Sequence, residues 1–279
     1  MLSQGENDNR TKRDDAARFL GDIPRHYDRG LGPIIFADYA DITARRAAEP
    51  RPARVLEIAA GTGILTRALR DPLGAEASLT ATDLNGPMLD VARAKFRAGE
   101  KVAFATADAL DLPFPDASFD LAACQFGVMF FPDKEKSYRQ ARRALARGGQ
   151  YLFSVWDAAA HNPFSAVVSE CLAASFGADP PPFLGVPFGY FAIDPIKAAL
   201  QAAGFGNLRV DVIGLEKSVP DCARFAEGLV LGSPISDQLR ARGGDPAAFA
   251  AEVATALSDR VVRDGRMPLQ AILFEAEAC

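Results

Sequence analysis

Val55-Leu56-Glu57-Ile58-Ala59-Ala60-Gly61-Thr62-Gly63, running on into Ile64-Leu65-Thr66-Arg67, decides how the rest of the chain reads. A short apolar run passes into a glycine-rich turn, and the turn passes into a segment with helical spacing. This is the pattern of a buried strand whose C-terminal end faces a ligand. Glycines let backbone approach a bound molecule where a side chain would collide or demand a forbidden φ, and the following helix offers its free N–H groups. A tight βα turn with no ligand satisfies the same pattern, so the turn alone is not a site.

Outward from that turn the alternation repeats. Strands are expected near Arg54–Ile58, Ser78–Thr82, Val102–Thr106, Asp120–Cys124 and Gln150–Trp156, with helices from Ile64, Pro87 and Lys134 filling three of the intervals. Alternation of this kind builds a parallel sheet covered by helices. A Pro-, Gly- and Phe-rich stretch then runs to Tyr190, followed by a helix over Asp194–Ala203 that Gly204 is placed to end in the left-handed conformation. A strand near Leu208–Leu215, a mostly helical segment from Val219 to Arg266, and a strand over Leu269–Ala276 complete the chain. Ahead of the core, residues 1–15 read as a disordered polar tail. Residues 16–49 carry apolar residues at helical spacing, broken by Pro24, Gly30, Gly32 and Pro33, and read as helices lying over something.

With 279 residues, 49% of them apolar, the chain can bury a full core. A net charge of −5 argues against a protein built around nucleic-acid phosphates, because that affinity comes from clustered Lys and Arg. Cys124, Cys171, Cys222 and Cys279 lie far apart with no C-x-x-C pair, so neither a zinc site nor a disulfide framework is signalled and a cytoplasmic setting is expected. The polar first fifteen residues are the opposite of a secretory signal, and no run approaches the roughly 18 apolar residues of a membrane helix. The longest candidate, Phe119 to Phe131, is interrupted by Asp120 and Gln125 and reads as a buried strand plus loop.

Three strand ends carry the chemistry. A dinucleotide turn would want a third glycine where Thr66 stands, which disfavours a nicotinamide cofactor. Asp83 closes the strand Leu79-Thr80-Ala81-Thr82 about 20 residues beyond the glycine turn, where an acid accepts from ribose hydroxyls. Asp108, in Ala107-Asp108-Ala109 after the next strand, is placed to accept from an adenine amino group.

In this order, E-I-A-A-G-T-G, T-D-L-N, A-D-A-L-D-L-P-F and F-D-L-A-A-C-Q-F resemble the successive motifs of class I S-adenosylmethionine-dependent methyltransferases, over roughly Arg54 to Trp156. A-R-G-G-Q-Y-L-F-S-V-W resembles the turn into their fifth strand. One departure is Ala59, where the family more often has glycine. The resemblance implies a Rossmann-like α/β fold: a seven-stranded, mostly parallel sheet with an antiparallel last strand and helices on both faces. To this it adds an N-terminal helical lid (16–49), a cofactor-binding core (50–157), and a C-terminal part (158–279) with a substrate-cover loop and a helical insertion before the last strand.

The resemblance also implies S-adenosylmethionine as cofactor, S-adenosylhomocysteine as product, and roles for individual residues. Gly61 and Gly63, with Ala59 and Thr62 in the same turn, would flank the methionine part. Asp83 would hold the ribose, Leu84 and Met88 sandwich the adenine, and Asp108 with Ala109 read its edge. Gln125 and Phe126 would sit beside the sulfonium. Glu57 either orients the turn or the ammonium group, or is a buried acid capping backbone N–H groups. For Leu84 and Met88 the alternative is ordinary core packing. Tyr27, in Ile23-Pro24-Arg25-His26-Tyr27-Asp28, resembles the aromatic with which many small-molecule members close over the cofactor, or else belongs to a solvated helix face.

Methyl transfer from a sulfonium is an in-line displacement on an activated donor, so alignment and exclusion of water carry most of the task. His161, after the fifth strand, is the candidate base and acceptor contact, or else a loop histidine without a role. Phe188 and Tyr190, in the aromatic run from Pro181 to Phe191, are candidate acceptor contacts or packing anchors. The fourth strand ends in Ala122-Ala123-Cys124-Gln125 with no hard oxygen ligand, so no metal is expected, and Cys124 reads as an inert core thiol. No N-P-P-Y or Pro-Cys signature marks a nucleic-acid base as acceptor. What remains resembles the ubiquinone/menaquinone-biosynthesis-like group, and the expected activity is methyl transfer to a small, partly apolar acceptor, in a monomer or a homodimer. The competing reading is a protein that binds the same cofactor without transferring methyl.

Overall fold

The computed structural model describes residues 18–279; the expected tail at 1–15 lies outside them. Seven strands form one sheet in the order β3-β2-β1-β4-β5-β7-β6. They are β1 (Arg54–Ile58), β2 (Ser78–Asp83), β3 (Val102–Thr106), β4 (Phe119–Gln125), β5 (Leu145–Trp156), β6 (Phe205–Ser218) and β7 (Arg266–Ala278). β1 to β5 run parallel, and β7 inserts antiparallel between β5 and β6. The expected architecture is the observed one. The order reverses between β1 and β4, which opens a crevice at their C-terminal ends, the place where open α/β sheets bind ligands.

Central strands are buried on both faces, and period-2 alternation sorts their side chains between two cores. Val55, Leu79, Leu121, Ala123 and Leu152 face one side. There they meet Ala40, Ala44 and Ala47 of α2 (Ala37–Ala48) and Leu65 and Leu69 of α3 (Ile64–Arg70). The small alanines let α2 lie close to the sheet. Leu56, Ile58, Ala122, Tyr151, Phe153 and Val155 face the other side, in the larger core. That core also takes Tyr138 and Ala141 of α5 (Lys134–Ala144) and Ile196 and Leu200 of α7 (Ile193–Ala202). Between β2 and β3, α4 (Gly86–Arg93) starts with Pro87 in its first turn, where a missing N–H costs nothing.

Three elements differ from expectation. Pro24, Gly30, Gly32 and Pro33 do not break the N-terminal segment. The short α1 (Ile23–His26) continues through a π-helical stretch, Tyr27–Phe36, into α2 as one helical run. Pro24 falls in the first turn of α1, and the wider π turns accommodate Pro33. The stretch after Trp156 contains a full helix, α6 (Pro163–Phe176), whose near-continuous apolar face gave no clear period. β5 begins at Leu145, ahead of its glycines, because Gly148 takes a φ of +79° and the register with β4 shifts there.

The segment between β6 and β7 folds as α8 (Cys222–Leu231), α9 (Ile235–Ala241) and α10 (Pro246–Arg260). Asp221 and Asp245 cap α8 and α10 by accepting from Arg224 N–H and Ala247 N–H. α8 crosses the π-helical stretch where two glycines meet: a Cβ on Gly30 would lie 2.5 Å from Gly228 Cα. The other end of the N-terminal helices is tied to the sheet by Arg46, which pairs with Asp211 of β6 and, at 2.6 Å, with Glu275 of β7. These groups are only partly exposed, so the pairing is more than a screened surface contact.

Replacing Arg46 by Met leaves Glu275 without its cation and Asp211 with Arg209 alone. The expected loss is about 1–2 kcal/mol, read as a fall in melting temperature of roughly 3–6 °C for a domain of this size. An unchanged melting curve would show that α2 is held by its alanine packing only.

Candidate functional site

β1 ends at Ile58, and the next five residues turn sharply. Ala59, Gly61 and Gly63 all have positive φ, at +56°, +55° and +78°. Ala60 N–H donates to Thr82 O at 2.8 Å, and Gly61 N–H donates to Asp83 Oδ2 at 2.8 Å. The two glycines do different things. A Cβ on Gly61 would meet only Met88 Cε, at 3.5 Å, so this position faces open space. A Cβ on Gly63 would strike Ala92 Cβ at 2.7 Å, so Gly63 is needed for the close approach of α4 and does not line the cavity. Thr62 is fully buried and also stands off the cavity.

Asp83, at the end of β2, is buried and held in place from both sides. Oδ2 takes Gly61 N–H and Oδ1 takes Asn85 N–H, each at 2.8 Å. Burial raises its pKa above the ordinary carboxylate range, and the N–H groups of Asn85 and Gly61 oppose that shift. Oδ1 also takes Asn85 Nδ2 at 3.4 Å, whereas Oδ2 keeps a lone pair for a ligand hydroxyl. Asp108, past β3, points its Oδ1 at Leu110 N–H, 2.8 Å away, in a local turn.

These groups open onto one cavity of about 270 Å³. Its walls include Tyr27, Ala59, Gly61, Asp83, Leu84, Met88, Asp108, Ala109, Gln125 and Phe126, ten of the thirteen residues expected at a cofactor. Leu84 is 57% exposed at the rim, whereas Met88 is buried beneath it. Gln125 Nε2 donates to Phe36 O at 3.1 Å, tying the end of β4 to the end of the π-helical stretch. Phe126 holds a φ of +53°, a costly conformation for a bulky residue, and stacks on Trp156 with centroids 4.1 Å apart. Cys124 is wholly buried, with its thiol pushed up to about 12 by burial, and is no nucleophile.

A second, apolar cavity of about 70 Å³ adjoins the first. Phe19, Tyr27, Phe126 and Phe130 line both. Tyr27 stacks on Phe36 at 5.0 Å and meets Phe19 edge-on at 5.8 Å, and burial raises the pKa of its hydroxyl further above neutrality. Phe188 lines this second cavity, stacked on Trp156 at 6.1 Å.

The structure does not bring every expected residue here. His161 is exposed and lies in a separate open depression beside Gly214, Leu215 and Pro268–Gln270, away from both cavities. The chain leaves β5 through Asp157 and a 3₁₀ turn, anchored by Asn162 Nδ2 donating to Gln270 O, and this carries His161 toward β6 and β7. Tyr190 lines neither cavity. Its hydroxyl is 3.0 Å from that of Tyr138, and Lys134 Nζ sits 4.8 Å from its ring centroid. Glu57 is beneath the turn, not in the cavity wall.

Sequence reading missed Phe19, Asn85 and the Gly127–Pro132 bend as cavity walls, and Trp156, Leu229 and Ser233 in the second cavity. Asn85 was visible in T-D-L-N, and the unbroken Phe126-Gly127-Val128-Met129-Phe130-Phe131 run after β4 was a usable signal. Leu229 and Ser233 come from the insertion, and nothing local marks them.

Residues 55–149 match the family profile described as a methyltransferase domain. The demethylmenaquinone methyltransferase of Thermus thermophilus is 42% identical over 120 residues, covering 40% of this chain and 54% of that relative. The chain thus spans about half the length of that curated relative. Among solved structures, phosphoethanolamine N-methyltransferase 2 of Haemonchus contortus, in complex with phosphomonomethylethanolamine and S-adenosylhomocysteine, superposes with a TM-score of 0.62. It is 18% identical, and the match covers 95% of this chain and 60% of that one. A putative methyltransferase from Bacillus halodurans gives a TM-score of 0.57 at 21% identity, with 86% of this chain and 99% of that one covered. The structural likenesses establish the fold. Residues 55–149 carry the sequence similarity to methyltransferase domains, and a stretch of 120 residues carries the similarity to demethylmenaquinone methyltransferase.

Glu57 gives the turn a pH-dependence. Burial raises its pKa from 4.5 to about 8, with the Thr66 hydroxyl opposing, the Asp83 charge adding and Lys95 opposing. Its Oε2 has no hydrogen-bond partner. The unfolded chain ionises this group near 4.5 and the folded chain near 8, so the folded state binds the extra proton between those values. The stability it contributes is full at low pH and falls as pH rises through that window. Glu57→Gln should therefore melt higher than the parent at pH 8, with the gap closing towards pH 4. A gap independent of pH would mean that Glu57 is ionised in the fold.

Proposed function

We propose that this domain binds S-adenosylmethionine in the larger cavity and directs its methyl group onto a small, partly apolar acceptor that enters through the second. One observation carries the reading: the turn at Gly61 and the carboxylates of Asp83 and Asp108, from three successive strand ends, converge on a single cavity. The donor set fits an adenosyl group. Asp83 offers its oriented carboxylate, with Oδ2 the less engaged oxygen, for a ribose hydroxyl, Asp108 an acceptor for the adenine edge, Leu84 and Met88 apolar faces for the base, and Gly61 an approach with no side chain in the way.

When bound, the cofactor supplies a methyl group already activated by positive sulfur. The chain's own task is then placement. Asp83, fixed before any ligand arrives, spends no free energy on reorganisation when the ribose docks. Phe126, held in a strained backbone conformation by its stack on Trp156, forms the wall between the two cavities. Tyr27 and Phe19 close over the junction and exclude water from the line of transfer. We assign no base: His161 lines neither cavity. We also read the chain as working without a metal, since β4 ends in Ala122-Ala123-Cys124-Gln125 with no carboxylate, and among the described residues no cluster of His, Cys, Asp and Glu could hold an ion. A small-molecule acceptor, no nucleic-acid partner and a cytoplasmic setting complete the reading. Among the described residues, no helix is long and apolar enough to cross a membrane.

The test is calorimetry with S-adenosylmethionine and S-adenosylhomocysteine, followed by a labelled-methyl assay over phenols, quinols and amines. The protein should bind both compounds and label at least one acceptor class. Asp83→Ala should weaken S-adenosylhomocysteine by roughly tenfold to a hundredfold, the worth of a charge-assisted hydrogen bond. Binding without label in any acceptor would favour a non-methylating use of the cofactor, and no binding at all would end the reading.

A further inference from the structure

The second cavity is shaped by the insertion. α8 is pressed against the N-terminal helices by glycine contacts: a Cβ on Gly228 would meet Gly30 at 2.8 Å, and one on Gly232 would meet Tyr27 N at 2.6 Å. At that separation Leu229 and the adjoining Ser233 reach the cavity and are what the insertion contributes to its lining. Ser233 Oγ donates its proton to Leu229 O at 2.6 Å and accepts from Ile235 N–H at 3.4 Å, so this part of the lining has no donor to spare for a guest. Phe164, Phe183 and Phe188 close the sides.

The geometry points to Leu229 and Ser233 as the residues that limit acceptor size, confining the acceptor to an uncharged single ring or short branched alkyl group and excluding fused rings and long tails. This rests on the reading of the larger cavity as the cofactor site. A benzene-sized guest needs on the order of 150 Å³, and the second cavity has about 70 Å³. One ring therefore reaches in from the junction at Tyr27 and Phe126, with its reacting edge left toward the larger cavity. A second fused ring, or an alkyl tail continuing the same line, meets Leu229. Apolar area alone would rank ligands the other way, because larger apolar groups gain more from leaving water. The predicted order is thus opposite to nonspecific hydrophobic binding.

The experiment is calorimetric titration of the S-adenosylhomocysteine-saturated protein with phenol, 2-naphthol and 4-hexylphenol. In the parent protein phenol should bind at least tenfold more tightly than either larger probe. Leu229→Ala should raise 2-naphthol affinity at least fivefold while leaving phenol within twofold. Ser233→Leu should fill the cavity and abolish phenol binding. Both variants should keep the parent affinity for S-adenosylhomocysteine, which separates a fault in this inference from a fault in the cofactor assignment. If S-adenosylhomocysteine fails to bind the parent, the cofactor reading falls, and the same titrations on the unliganded protein decide the size limit. Equal or tighter binding of 2-naphthol to the parent, no binding of phenol to it, or an unchanged ranking in Leu229→Ala overturns the proposal. Should Leu229→Ala lose its cooperative melt, phenol binding retained in Ser233→Leu overturns it as well.

Discussion

The site depends on one carboxylate. Asp83 accepts from Gly61 N–H with one oxygen and from Asn85 N–H with the other, and so joins the turn after β1 to the loop after β2. Neighbouring parallel strands end side by side, but nothing in sheet pairing fixes how the chain leaves them. A buried acid with two backbone donors does, because leaving either donor unpaired in a dry interior costs about 1–3 kcal/mol. The same carboxylate that fixes the turn also lines the larger cavity.

Around that carboxylate the chain concentrates unfavourable features that the rest of the fold supports. Ala59 and Phe126 both sit at positive φ, at the ends of the adjacent strands β1 and β4. Glu57 is buried with an oxygen that finds no partner. Such costs persist only where surrounding packing over-determines the conformation. Here the packing is aromatic: Phe126 against Trp156, Trp156 against Phe36 and Tyr39, Phe36 against Tyr27. The stack couples the strand ends to the N-terminal helices, so the cavity wall and its cover are one packed unit.

The cover is positioned by backbone proximity. Gly30, Gly228 and Gly232 let two helices approach more closely than any side chain would permit. The π-helical stretch, with Gly32 and Pro33 within it, turns Tyr27 and Phe36 to the same side, where they stack. Gln125, donating to Phe36 O, adds a polar tie between cover and sheet.

Much of this was legible in local sequence. The strands from Arg54 to Trp156, the glycine turn and the acids at two strand ends follow from period-2 burial and from the backbone demands of a βα turn, which depend only on near neighbours along the chain. Asp83 and Asp108 were found for that reason, and so was the sheet they belong to. The continuity of the helix through Pro33, the packing role of Gly63 against Ala92, the departure of His161 toward β6 and the arrival of Leu229 and Ser233 in the lining of the second cavity were not. Each depends on what another element does more than twenty residues away, such as α4 closing on the turn at Gly63, β7 drawing Asn162 across the sheet, or α8 meeting the N-terminal helices glycine to glycine. Sequence by itself determined the scaffold and the half of the site that strand ends must supply. Tertiary packing decided the other half, because contacts between distant segments set the shape and size of a cavity.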